Sequence, residues 1–120
     1  MSTLFLGAAT WLAAIIGMPH GAWHNELTKS LPAADAAMPE SPATIRLWFA
    51  EKVEPKFSSI ALMKPDSTGV PIGKPRATDD PKSVVSDVPA RLPAGKYLIR
   101  WRTAGTDGHA VRGSFWFSVK

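Results

Sequence analysis

The sequence predicts an all-β domain: a small immunoglobulin-like Greek-key β-sandwich or barrel of about seven strands, preceded by a hydrophobic leader. Three observations carry this. Apolar and polar residues alternate through several short segments after residue 43, the pattern of half-buried strands. Eleven prolines and nine glycines in 120 residues separate those segments with turns. No stretch after residue 24 repeats its apolar positions at the helical period.

The first 23 residues carry no charged side chain, so all 14 Lys/Arg and all 10 Asp/Glu fall between His24 and Lys120. Leu4 to Ile16 is apolar or small almost throughout. Its length, about thirteen residues, matches the apolar region of a secretory signal and falls short of the roughly 20 that span a bilayer. Residues 1–23 are therefore expected to be a signal peptide, with an uncleaved anchor as the alternative, and 24–120 one domain with a single core. Two features depart from an ordinary signal. No Lys or Arg precedes the apolar run, and Trp23 stands before His24, where signal peptidase favours a small residue. Cleavage after Ala22 satisfies that preference but leaves Trp23 in front of the histidine.

Within the domain, Ala33–Met38 reads as a brief helical turn bounded by prolines. Ala43–Phe49 reads as a strand with Ile45, Leu47 and Phe49 on one face and Thr44, Arg46 and Trp48 on the other. Phe57–Met63 repeats the pattern less cleanly, and Asp66–Gly69 supplies a turn. Val84–Val88 is a short strand. Lys96–Thr103 is a strong one, with Tyr97, Ile99 and Trp101 opposite Leu98, Arg100 and Arg102. Gly113–Val119 places Phe115, Phe117 and Val119 inward. Tryptophans 48, 101 and 116 at alternating positions are expected in core or edge packing rather than on a sugar-stacking surface.

Composition excludes several kinds of chemistry. There is no cysteine, hence no disulfide, thiolate metal site or cysteine nucleophile. The net charge of +4 comes from scattered residues without a Lys/Arg run, which argues against nucleic acid as a partner. One small domain leaves no room for separate cofactor and substrate lobes.

Three histidines exist: His20, His24 and His109. His20 and His24 stand four apart, but Pro19 and Gly21 speak against the helix that would bring them together. Asp107-Gly108-His109 lies between the two strongest strands. Its residues read either as a common hairpin turn or as two side chains converging from a tight loop. Glu26 and Arg112 are expected to be solvated charges, and Ser30 has no partner for nucleophilic work.

The domain as a whole resembles the CopC family of bacterial copper-resistance proteins. The resemblance rests on His24-Asn-Glu-Leu-Thr-Lys-Ser-Leu-Pro-Ala-Ala34, on Ile45-Arg-Leu-Trp-Phe-Ala-Glu51 and Val53-Glu-Pro-Lys-Phe-Ser58, and on Pro93-Ala-Gly-Lys-Tyr97, Arg100-Trp101 and Asp107-Gly-His-Ala-Val-Arg-Gly-Ser-Phe-Trp-Phe117. It implies a Cu(II) site with His24, Asp107 and His109 as ligands, His24 contributing its α-amine if it becomes the amino terminus. Such a set of nitrogen donors with one carboxylate suits tetragonal Cu(II). Because the donors must be deprotonated, affinity is expected to weaken as pH falls through the histidine range. The thioether-rich Cu(I) site of some family members is not expected, since only Met38 and Met63 follow the leader.

The resemblance further implies a monomeric periplasmic protein, not an enzyme. Such a protein sequesters copper, buffers it or delivers it to an inner-membrane copper transporter of the CopD type. Two alternatives stand beside it. One is a histidine-brace copper oxidase or monooxygenase-like enzyme, which Asp107 disfavours by filling a position that oxygen chemistry needs open. The other is a metal-free immunoglobulin-like binding module in which Asp107–His109 is only a turn.

Overall fold

In the computed structural model, which describes residues 25–105 and 107–120, nine strands form two sheets. The strands are β1 (Leu27–Leu31), β2 (Ala37–Met38), β3 (Thr44–Phe49), β4 (Ser58–Met63), β5 (Gly69–Val70), β6 (Arg76–Ala77), β7 (Ser83–Asp87), β8 (Gly95–Ala104) and β9 (Ala110–Val119). One sheet has the order β1-β3-β7-β6 and the other β2-β9-β8-β4-β5. All pairings are antiparallel except β2 with β9. The only helical element among the described residues is a short 3-10 turn, Pro55–Phe57.

The alternation read from the sequence places the core between the sheets. Ile45, Leu47, Phe49 and Val84 from the four-stranded sheet meet Ile60, Leu62, Tyr97, Ile99, Trp101, Phe117 and Val119 from the other in one buried cluster. Phe49 meets Trp101 edge-on across it, ring centres 5.3 Å apart. Tyr97 stacks on Phe117, and its hydroxyl donates to the Pro93 carbonyl at 2.6 Å. Trp101 is therefore core. Trp48 and Trp116 are half-buried on outer faces, Trp48 between Lys29 and Arg46 and Trp116 under Lys96.

The expected helical turn over Ala33–Met38 is corrected. Ala36 N–H donates to Ala33 carbonyl in a tight turn with Asp35 at φ 61°, and Ala37–Met38 is strand. Asp35 and Ser118 N–H groups bond to the carbonyls of Trp116 and Ala36, respectively, so pairing to β9 wins over local helix. β9 also begins at Ala110, three residues earlier than the alternation suggests, because its pairing with β8 runs without a break to Ala104↔Ala110. β1, β2, β5 and β6 have no counterpart in the sequence reading; three of them are only two residues long.

Candidate metal centre

The β8–β9 hairpin carries the Asp107–His109 pair at its tip. Two ten-residue strands run in register up to Ala104↔Ala110, so the loop between them has a fixed base. Gly105 N–H donates to His109 carbonyl and Gly108 N–H to Gly105 carbonyl, both at 3.0 Å. The backbone favours glycine at one point of this loop, and a second glycine lies close to a neighbouring side chain. Gly108 has φ +84°, and a Cβ on Gly105 would come within 2.9 Å of Asp107 Oδ1.

Asp107 is turned back over this loop. Its Oδ1 accepts the backbone N–H of His109 at 3.0 Å, and its Oδ2 lies 3.2 Å from His109 Nδ1. Of the two readings of this segment, hairpin turn or converging side chains, the structure shows a hairpin turn that also brings the two side chains together. Both groups remain accessible, His109 at 72% and Asp107 at 56% of full side-chain exposure. A cation arriving here meets little steric obstruction.

The pair opens into a concavity of about 420 Å³ whose other wall comes from the start of the domain. Asn25 lines it, as do Glu51, Lys52 and Glu54 from the segment after β3. Three carboxylates, Glu51, Glu54 and Asp107, face one ammonium, Lys52, which lies 3.9 Å from Glu54. That balance favours a cationic occupant. Asn25 is held firmly in place: Glu51 N–H donates to its Oδ1 at 2.8 Å, and its Nδ2 donates to the Glu51 and Lys52 carbonyls at 3.4 Å. Ala50 N–H bonds to Glu26 carbonyl beside it.

His24, the third foreseen ligand, lies outside the described residues, as do His20 and the leader over residues 1–23. Among the described residues no group of three His, Cys, Asp or Glu side chains is placed to hold a metal ion. Arg112 is exposed on β9 and pairs across the sheet with Arg102, so no contact ties it to Asp107. Ser30 is buried and Glu26 exposed. The wall formed by Asn25, Glu51 and Glu54 was not foreseen. Only its adjacency to His24 and to the end of β3 hints at it in the sequence.

Met38 and Met63 sit on β2 and β4, with β9 and β8 between those strands. They do not form a thioether pair. No helix among the described residues is long and apolar enough to cross a membrane.

Comparison with known proteins agrees with this architecture. The profile of the CopC domain matches residues 27–120. Copper resistance protein C of Escherichia coli is 38% identical over 104 residues, which span 81% of this chain and 82% of that protein. The crystal structure of CopC from Methylosinus trichosporium OB3b superposes with a TM-score of 0.74 at 30% identity, covering 81% of this chain and 94% of its own. PcoC, a methionine-rich copper resistance protein from Escherichia coli, superposes with a TM-score of 0.71 at 36% identity, covering 81% and 99%. With both the profile and the full sandwich matched, the chain belongs to the CopC family.

Proposed function

We propose that this chain is a copper-binding protein of bacterial copper resistance that holds Cu(II) in the periplasm and buffers it or hands it on by ligand exchange, without catalysing a reaction. The observation that carries the reading is the Asp107–His109 pair, 3.2 Å apart, opening onto a carboxylate-rich concavity that Asn25 also lines. His24 is one peptide unit, about 3.8 Å between Cα atoms, from Asn25. Its imidazole and a new α-amine would complete the donor set with Asp107 and His109 after removal of residues 1–23 as an export signal. Imidazole, amine and carboxylate donors suit Cu(II), whereas the separated methionines offer nothing for Cu(I). The exposed pair suits exchange with a membrane copper transporter of the CopD type, with the protein acting as a monomer.

The test is a Cu(II) titration of protein beginning at His24, read by electron paramagnetic resonance and by competition with a chelator. One equivalent should bind with nitrogen hyperfine structure. His109→Ala, and an acetyl group on the His24 amine, should each lower affinity by roughly a hundredfold. Asp107→Asn should change the copper spectrum as well as the affinity. An unchanged spectrum in all three would sink this ligand set.

A further inference from the structure

The two sheets treat their cations differently. On the four-stranded sheet, Arg46 lies 3.2 Å from Asp79, and Arg76 lies 3.0 Å from Asp87. The five strands of the other sheet contain no Asp or Glu, yet their outward positions carry Lys96, Arg100, Arg102 and Arg112. All ten acidic residues of the chain lie within the described segments, and none pairs with these arginines. Arg102 and Arg112 stand directly opposite on β8 and β9, and Arg100 follows two positions along β8. Like charges placed directly across a ladder oppose each other and weaken the pairing. The sheet retains this repulsion with no internal counter-charge.

The three guanidinium groups wall a concavity of about 320 Å³ floored by Ser59, Ala61 and Ser114. We propose that this outer face of the five-stranded sheet is a docking surface for an acidic segment of a partner protein. A planar guanidinium takes a carboxylate through two parallel hydrogen bonds, which a lysine cannot do. Arg100 and Arg102, two residues apart on one strand, repeat every 6–7 Å or so, the spacing of alternate side chains in an extended partner. The concave shape favours inserted carboxylates over a bilayer. Leu98 and Trp116 on the same face are only half-exposed, and the protruding apolar residues Leu31 and Phe57 lie elsewhere. Arg112 is three residues from His109 along the chain, though the arginine concavity shares no lining residue with the one at the metal centre. The surface itself does not depend on copper, and its test uses metal-free protein.

Residue-resolved amide spectra of the protein would be followed during titration with an acetylated, amidated octapeptide alternating Glu and Ser. Shifts should cluster on β4, β8 and β9 around the three arginines and fade as salt is added. The double variant Arg100→Gln/Arg112→Gln should bind at least fivefold more weakly. A double variant of equal charge on the other sheet, Lys29→Gln in β1 and Lys82→Gln just before β7, should bind within twofold of the parent. Arg112→Gln alone should melt no lower than the parent, because it removes a like-charge pair, so its lost binding cannot be laid to unfolding. Equal weakening in both double variants would overturn the proposal, as would equal binding of the Gln–Ser peptide. So would arginine-dependent binding to phosphatidylglycerol vesicles without peptide binding, which would make the face a membrane surface. Saturable binding of inorganic phosphate alone at the same amides would make it a small-anion site.

Discussion

Gly113 faces Trp101 across the β8–β9 ladder, and a Cβ there would sit 2.6 Å from indole Cζ2. The indole is pinned on its other side by Phe49. Gly113→Ala should therefore cost about 1–3 kcal/mol by overpacking, measured by urea unfolding, and should shift Trp101 emission. Ser86 presents the opposite case. Its side chain is fully buried and its hydroxyl finds no partner among the described residues. Ser86→Ala should leave stability unchanged or raise it by about 1 kcal/mol, since the variant removes an unpaid desolvation. At the surface, Thr68 donates side-chain and backbone hydrogen bonds to Asp66, with Lys64 nearby, and holds that carboxyl below its ordinary range. Its stabilising contribution is present above the unfolded-state value and is lost as pH falls from there through the lower folded-state value. Asp66→Asn should flatten the pH dependence of the urea midpoint below about pH 4.

At the scale of elements, the site joins a rigid hairpin to a tethered segment. Asn25 clamps the start of the domain to Glu51 and Lys52 through three hydrogen bonds. Asn25→Ala should leave the melting temperature within a few degrees, because the bonds are exposed. It should nonetheless weaken copper binding several-fold by loosening the segment that carries His24, measured by the same competition titration. The long strands were legible in the sequence because each buries one face: Ile45, Leu47 and Phe49 in β3, and Tyr97, Ile99 and Trp101 in β8, have the expected alternation. β2, β5 and β6 were not legible. Two-residue bridges carry no period, and their pairing is decided by what lies alongside, as for Ala37–Met38 beside Ser118–Val119. The Asp107–His109 pair was legible because both residues sit in one short loop. The acidic wall opposite was not, because Glu51 and Glu54 approach it only through the folding of the two sheets.

At the scale of the whole molecule, the described residues form one domain. Its core closes around fourteen buried apolar residues drawn from both sheets and the loops between them. Treatment with a strong chelator should leave the circular-dichroism melt of the apo protein unchanged. Adding excess Cu(II) should raise the midpoint by several degrees through preferential binding to the folded state. The size of that rise has a topological component. With the proposed ligands, a metal gripped at once by His24 and by the Asp107–His109 loop would tie the start of the domain to a hairpin tip near its last strand. In a chain without cysteine, an ion so bound would act as a reversible staple that encloses most of the domain in a single ring. A covalent closure of comparable length restricts the unfolded chain by about 4–5 kcal/mol in the chain-entropy picture, an upper bound for a labile bond. Handing copper on would thus also open the ring, leaving the N-terminal segment anchored by the hydrogen bonds of Asn25 and Glu26 to the chain after β3.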